Sequence, residues 1–233
     1  MPEALSGDRF DTPFTGPNYI AVEGVIGVGK TSFAEALAER IGAALELDEG
    51  YQNPFLEDFY RNRERYAFPA QLFFLLNRFQ RQQALRTPDL FAERIVADYI
   101  FARDALFASV TLTDRELKLY EKILPILERD IPRPDLVIYL QASPPALLER
   151  IRKRDHKLER HIDREYLDRL CEAYNYYFFN YTDTPLLVVK TDHIDFVREP
   201  AHLDDIVDQL QKPIHGKRYY SPPPGAELDY GEK

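Results

Sequence analysis

One short stretch constrains this chain more than any other feature of its sequence. Residues 24–31 read GVIGVGKT and fill the phosphate-loop pattern G-x-x-x-x-G-K-[ST]. The apolar run 19–22 before it predicts a strand, and apolar residues from Phe33 to Ile41 recur after it at helical spacing. A glycine-rich turn between a strand and a helix presents backbone N–H groups and a helix N-terminus to phosphate oxygens. The sequence therefore predicts a loop that binds a nucleotide.

The residues expected to contact the nucleotide come from the loop and the first turn of its helix. They are Gly24, Gly27, Val28, Gly29, Lys30, Thr31 and Ser32. Lys30 is expected to reach the β- and γ-phosphates and to act in catalysis, and Thr31 to offer its hydroxyl to Mg²⁺. The motif thus indicates ATP as phosphate donor and Mg²⁺ as cofactor.

Strands and helices alternate along the rest of the chain. Four further apolar runs have the length and composition of strands, at 44–47, 94–98, 136–140 and 186–189. Among the predicted helices, we interpret Phe55 to Arg86 as two helices divided near Pro69. This alternation predicts an α/β protein with the P-loop kinase fold, in which a five-stranded parallel sheet carries helices on both faces.

Acidic residues follow two of these strands at their carboxyl ends. Asp48 and Glu49 come after the second strand, and Asp98 ends the third. Ligands of open parallel sheets bind outside the carboxyl ends of the strands, where the phosphate loop also lies. We therefore expect these carboxylates beside the nucleotide.

Length and composition favour one cytoplasmic domain. With 233 residues, we expect a flexible N-terminal arm over 1–17, one domain over 18–211, and a flexible proline-rich tail over 212–233. The net charge of −9 argues against binding to a nucleic-acid polymer or an anionic membrane. No apolar run approaches the length of a membrane span, and the single cysteine excludes an internal disulfide.

A cluster of cations interrupts this acidic chain between residues 150 and 160. On a phosphate-loop scaffold, such a run is typical of a lid that closes over nucleotide phosphates. We therefore predict an arginine-rich lid at about 150–161, with Arg150, Arg152 and Arg154 as phosphate ligands.

Five motifs carry a resemblance to a known family. They are the phosphate loop, NPFLEDFY at 53–60, Gln71 with Arg78, IVADY at 95–99, and the cations from Arg150 to Arg160. Together they resemble the deoxynucleoside kinases, most closely the bacterial deoxyadenosine/deoxyguanosine kinases, over about residues 18–197. The resemblance implies a homodimer that transfers the γ-phosphoryl group of ATP to the 5′-hydroxyl of a deoxynucleoside in nucleotide salvage.

The family's general base is an acid at the end of the second strand, and two neighbours match it here. Counting back from Asn53 favours Asp48, whereas counting forward from Lys30 lands nearer Glu49. Either carboxylate would accept the 5′-hydroxyl proton and orient that oxygen towards the γ-phosphate. We favour Asp48 and keep Glu49 as the alternative.

Asp98 matches the acid that opens the family's second motif, and the resemblance places it on the Mg²⁺ side. The triplet Glu93-Arg94-Ile95 looks similar, but it precedes the strand that the motif should follow. Choosing Asp98 leaves Tyr99 where the family usually has an arginine. Arg103 or the lid could supply the missing charge near the base.

The resemblance also assigns the nucleoside pocket. Gln71 and Arg78 would recognise the base, Asp104 would pair with Arg78, and Tyr60 and Glu159 would bind the sugar 3′-hydroxyl. An amide offers both a donor and an acceptor to a base edge, and these side chains suit a neutral nucleoside rather than a charged nucleotide.

The preferred base stays open at this point. Gln71 with Arg78 and Asp104 favours deoxyadenosine, the Asp98-Tyr99 segment resembles deoxyguanosine-preferring relatives, and deoxycytidine also fits the three side chains. Two other functions remain as alternatives. One is a nucleoside-monophosphate kinase of the thymidylate type, and the other is a non-catalytic, ATP-sensing regulatory protein.

Overall fold

A parallel sheet lies at the centre of the molecule. The computed structural model describes residues 14–48, 50–85, 93–157, 159–194, 196 and 199–221. In these residues, six strands pair in the order β2-β3-β1-β4-β5-β6, and every pair is parallel. The strands are β1 (Tyr19–Gly24), β2 (Ala44–Glu46), β3 (Ile95–Ala97), β4 (Leu136–Gln141), β5 (Leu186–Lys190) and β6 (Lys217–Tyr220).

Helices connect the strands and cover the sheet. They are α1 (Lys30–Ile41), α2 (Leu56–Arg61), α3 (Arg63–Ala84), α4 (Arg103–Thr111), α5 (Asp114–Glu128), α6 (Pro144–Arg154), α7 (Arg164–Asn180) and α8 (Pro200–Leu210). Helix α1 packs on β1, β2 and β3 and contacts α8, whereas α7 lies beside α4 and α6. Tyr139 of β4 stacks on Phe178 of α7 with ring centroids 4.2 Å apart. This is the α/β architecture that the sequence predicted.

The prediction of five strands was wrong by one. Strand β6 pairs with β5 from Leu186↔Lys217 to Val189↔Tyr220, within the segment that we had assigned to a flexible tail. Its sequence, KRYY, contains no run of aliphatic residues, so it carries little strand signal of its own. Pairing with the neighbouring strand, which is distant in sequence, makes it part of the sheet.

The predicted helix division near Pro69 was also wrong. The break falls at Asn62, whose side chain accepts a hydrogen bond from the backbone N–H of Arg65 and so caps α3. Pro69 lies inside α3, where it removes one backbone donor. Because α3 is continuous beyond this point, Gln71 and Arg78 lie two turns apart on one buried face.

Candidate active site

The phosphate loop has the backbone that its glycines allow. It joins β1 to α1, and Gly27 and Gly29 have φ values of 85° and 99°. A Cβ atom on Gly27 would lie 2.7 Å from Cγ1 of Ile151 in α6, so a side chain has no room there. The loop therefore needs glycine both for its turn and for its close approach to α6.

Lys30 is held by the loop itself. Its Nζ donates to the carbonyl oxygens of Gly24 at 2.6 Å and of Val25 at 3.3 Å. Burial, and then the nearby charge of Arg103, lower the pKa of Lys30 to about 8. An amine in such a setting gains most from an anionic ligand, because a phosphate would compensate its buried charge.

Asp98 joins the phosphate loop to the acidic end of β2. Its Oδ2 accepts a hydrogen bond of 2.7 Å from Oγ1 of Thr31, and its Oδ1 accepts one of 2.6 Å from the backbone N–H of Asp48. The two oxygens of one buried carboxylate thus fix the first turn of α1 relative to the residue proposed as base. Asp48 and Asp98 thus lie next to each other and to the phosphate loop, whereas Glu49 lies outside the described residues.

Asp48 faces two arginines. Its Oδ2 accepts hydrogen bonds from Nη2 of Arg78 at 2.8 Å and from Nη1 of Arg103 at 3.0 Å. Burial by itself would raise the pKa of Asp48, but the charges of Arg78 and Arg103 outweigh it and place the pKa below its usual value. The carboxylate is therefore ionised at neutral pH and can accept a proton or a hydrogen bond.

A cavity at the carboxyl ends of β1, β2 and β3 contains polar groups of the kind that a nucleobase requires. Gln71 is 1% exposed, and its Oε1 has no hydrogen-bond partner among the described residues. Arg78 donates through Nη1 to Asp104, while its Cζ lies 5.2 Å from the ring centroid of Tyr99. Burial opposes the charge of Arg78, yet Asp104 and Asp48 raise its pKa well above the ordinary value. Arg78 is thus a fixed cation with carboxylates on two sides.

The three predicted lid arginines lie in different places. Arg154 lines the cavity and pairs with Glu159, which also lines it. Arg150 does not line the cavity; it donates to the backbone carbonyls of Val28, Thr191, Asp192 and Ile194. Arg152 is exposed and lines a separate groove beside α6. Only Arg154 of the three is therefore placed to meet a phosphate in this conformation.

Most of the remaining predicted residues share one cavity at the carboxyl ends of β1, β2 and β3. The predicted residues that line it are Gly27, Gly29, Lys30, Thr31, Ser32, Asp48, Tyr60, Gln71, Arg78, Asp98, Arg103, Arg154 and Glu159. Asp104 is buried and pairs with Arg78, and Gly24 and Val28 belong to the loop but do not line the cavity; their carbonyl oxygens accept hydrogen bonds from Lys30 and Arg150.

Sequence reasoning missed the aromatic walls of this cavity. Phe59, Phe74, Phe107 and Tyr166 line it, and none of the four is among the residues that the sequence predicted for the site. For Phe59 and Phe74 the signal was the high density of aromatic residues between 55 and 79, which core packing explains equally well, whereas Phe107 and Tyr166 lie outside that stretch. Flat apolar walls beside Gln71 would suit the two faces of a planar base.

A phosphate loop, an ionised carboxylate and buried cations around one cavity define a P-loop phosphotransferase. The family model described as "Deoxynucleoside kinase" matches residues 20–215. The chain therefore belongs to the deoxynucleoside kinase family, as the sequence motifs indicated, and it is a kinase that phosphorylates a deoxynucleoside with ATP.

Known deoxynucleoside kinases are similar to this protein over most of its length. A deoxyguanosine kinase of Bacillus subtilis is 33% identical over 84% of this chain and 97% of its own length. A deoxyadenosine/deoxycytidine kinase of the same species is 29% identical over 84% and 93%. The solved structure of a deoxyadenosine kinase from M. mycoides with bound dCTP superposes with a TM-score of 0.70, at 25% identity over 82% of this chain and 97% of that one. Within the described parts of the chain, no helix is long and apolar enough to cross a bilayer.

Proposed function

We propose that this cavity phosphorylates the 5′-hydroxyl of a purine deoxynucleoside, with Asp48 as the general base. The observation that carries the proposal is the position of the Asp48 carboxylate, which shares one cavity with Lys30 of the phosphate loop and with Gln71. A nucleoside whose base reaches Gln71 would present its sugar near Asp48. The γ-phosphate of ATP in the loop would then lie on the other side of that carboxylate.

The charges around Asp48 suit phosphoryl transfer. An ionised Asp48 can orient the 5′-hydroxyl and accept its proton as the bond to phosphorus forms. Lys30 and Arg103 both line the cavity and can compensate charge on the transferring group, and Arg154 can do so from the lid. In this family an arginine near the general base usually stands at the position of Tyr99. We assign its role to Arg103, because Arg103 donates directly to Asp48.

The donor set beside the loop fits Mg²⁺. Thr31 Oγ1 and Asp98 Oδ2 are hard oxygen ligands that lie 2.7 Å apart. In the described ranges, no group of three or more His, Cys, Asp or Glu side chains could hold a metal by itself, which fits an ion that takes further ligands from phosphate and water. When bound, Mg²⁺ neutralises charge on the β- and γ-phosphates. Thr31 and Asp98 are the residues that would hold it.

The pairing of the arginines favours a nucleoside over a nucleoside monophosphate as acceptor. A monophosphate needs a cation to meet its own charge. The proposal already assigns Lys30, Arg103 and Arg154 to the transferring phosphate, and Arg78, the remaining cation among the described residues that line the cavity, is paired with both Asp48 and Asp104. This pairing speaks against the thymidylate-type alternative. Tyr60 and Glu159 line the cavity and are proposed to bind the 3′-hydroxyl.

The base is proposed to be adenine or guanine, with cytosine as the second choice. Gln71 Oε1, a buried oxygen on a side chain that lines the cavity, has no hydrogen-bond partner among the described residues. Buried acceptors without partners are costly, so a ligand that brings N–H donors is favoured. Adenine, guanine and cytosine all carry such donors, and the relatives named above include kinases for each of these deoxynucleosides.

A rate comparison over the four deoxynucleosides and their monophosphates with Mg·ATP tests the proposed function. We expect deoxyadenosine or deoxyguanosine to give the highest kcat/KM. A higher kcat/KM with any monophosphate would select the thymidylate-type alternative. ATP binding without turnover of any acceptor would select the regulatory protein.

Replacing Gln71 by leucine should raise the KM for the deoxynucleoside about tenfold. Leucine is similar in size to glutamine, but the nucleobase loses a buried hydrogen-bond partner. The KM for ATP should stay unchanged. Steady-state kinetics with each substrate varied in turn measures both constants. Gln82→Leu is the matched control, since Gln82 is equally buried on α3 but bonds to Tyr19, away from the cavity. An unchanged nucleoside KM in Gln71→Leu would contradict the assigned role.

We also propose that the enzyme acts as a cytoplasmic homodimer. Tyr176 and Phe179 on α7 are 76% and 72% exposed, which is unusual for aromatic side chains. A second copy of this chain would cover them, as the family resemblance implies. The lone cysteine suits a reducing compartment. Sedimentation velocity of the wild-type protein checks the dimer, and a single species with the mass of one chain would refute it.

A further inference from the structure

Glu23 has no role in the reaction proposed above. It lies in β1 among apolar residues, directly before the phosphate loop, and it is 0% exposed. It does not line the substrate cavity. A fully buried acid is costly unless its oxygens are satisfied, so its retention at this position calls for partners.

Three donors from three different elements satisfy this carboxylate. Oε1 accepts hydrogen bonds from the backbone N–H of Gly24 at 2.8 Å and from the hydroxyl of Tyr174 at 3.3 Å. Oε2 accepts one from the backbone N–H of Ile100 at 3.2 Å. Glu23 thereby connects the start of the phosphate loop, helix α7 and the turn that leads into α4.

That turn carries Arg103. The backbone N–H of Arg103 donates to the carbonyl of Ile100 at 3.2 Å, so the residue anchored by Glu23 also begins the turn that presents the guanidinium. Burial disfavours the charge of Arg103, but Glu23 first and Asp48 second raise its pKa above the ordinary value. Asp48 compensates this cation from the cavity, and Glu23 does so from the protein interior.

We propose that Glu23 is a positioning residue for the kinase reaction, which holds Arg103 in the place from which it reaches Asp48 and the transferring phosphate. The inference rests on the catalytic parts proposed for Arg103 and Asp48. Glu23 contributes through a fixed hydrogen-bond frame and a compensating charge, and it touches neither substrate. Its loss should therefore lower kcat more than it changes either KM.

A double-mutant cycle tests this inference. Glu23→Gln keeps the shape and one acceptor oxygen but removes the charge, and Arg103→Met removes the guanidinium. We expect Glu23→Gln to lower kcat about tenfold or more, with both KM values changed less than about threefold. In the Arg103→Met background, the same substitution should lower kcat by less than about threefold, because the group that it positions is gone.

Tyr139→Phe is the matched control for a purely structural effect. The Tyr139 hydroxyl donates to Asn175 of α7 at 3.0 Å, so its removal also costs a partly buried hydrogen bond to this helix but does not alter any contact of Arg103. We expect Tyr139→Phe to lower Tm without lowering kcat. A lower Tm with unchanged kcat in Glu23→Gln as well would overturn the inference.

The two levels of the argument fail in different ways. If Arg103→Met lowers kcat and Glu23→Gln lowers it by the same factor with and without Arg103, only the inference about Glu23 is overturned. If Arg103→Met keeps the wild-type kcat, both the catalytic role proposed for Arg103 and the inference about Glu23 are overturned. Should Glu23→Gln not fold, Tyr174→Phe removes one contact of Glu23, and its decrease in kcat should vanish in the same background; an unchanged kcat would count against the inference.

Discussion

Replacing Asp48 by asparagine should lower kcat about a hundredfold to ten-thousandfold, which is the usual contribution of a general base. Asparagine keeps the size of the side chain but cannot take up the proton of the 5′-hydroxyl. It also leaves Arg78 and Arg103 without the charge that they share at 2.8 and 3.0 Å. Steady-state rates of ADP formation at saturating ATP and deoxynucleoside measure the loss.

Two neighbouring acids serve as controls for Asp48. Glu46 lies in β2, pairs with Arg81 at 2.7 Å and does not line the cavity, so Glu46→Gln should keep kcat within about threefold. Glu49→Gln distinguishes between Asp48 and Glu49, the two candidates for the general base that the sequence left open. A large loss in Glu49→Gln together with a small one in Asp48→Asn would transfer the role to Glu49.

Replacing Lys30 by alanine should lower kcat about a hundredfold to a thousandfold and also weaken ATP binding. Its ammonium is the cation of the loop itself, and burial, then the charge of Arg103, lower its pKa to about 8. The substitution removes an unfavourable buried charge but also two hydrogen bonds to loop carbonyls, so the two effects oppose each other, the fold should persist and Tm should change little. Kinetics, calorimetric ATP titration and thermal unfolding measure the three effects.

Lys153→Ala controls for the loss of a lysine in general. Lys153 lies on α6, is exposed and pairs with Glu149 at 2.7 Å, so its removal should change neither kcat nor Tm appreciably. If Lys30→Ala kept wild-type turnover while Lys153→Ala also did, Lys30 would have no part in the transfer. A collapse of Tm in Lys30→Ala would instead show a structural role.

The features that sequence predicted best are those that depend on consecutive residues or on parallel strand ends. The loop pattern fixed the turn, the helix start and the place of Lys30, because glycine and helix geometry are local. Asp98 could be expected beside Thr31, because parallel strands end at one edge of the sheet. The pairing of Arg78 with Asp104 came from the family resemblance alone.

The features that sequence missed depend on distant partners. Pro69 suggested a helix break, but α3 continues because its buried face outweighs one lost backbone bond. Strand β6 exists through β5, and Arg150 is drawn to the carbonyls of residues 191–194 rather than to the cavity. A charge run does not tell which cation meets backbone oxygens and which meets a ligand.

Glu23 shows the same limit from the other side. An acid within an apolar strand is visible in the sequence, and its oddity is a signal that we passed over. Its three donors come from Gly24, Ile100 and Tyr174, and only the first is adjacent in the chain. The oddity could have marked the position, but not its connection to Arg103.

The shared carboxylate of Asp98 has a thermodynamic consequence. In the proposed assignment, one oxygen restrains the ATP side through Thr31, and the other restrains the acceptor side through the backbone of Asp48. A substrate that moves one of these segments would strain or release the other, so we expect the free energies of binding the two substrates to be coupled. By thermodynamic linkage, the factor by which bound ATP changes the affinity for the nucleoside equals the factor by which bound nucleoside changes the affinity for ATP.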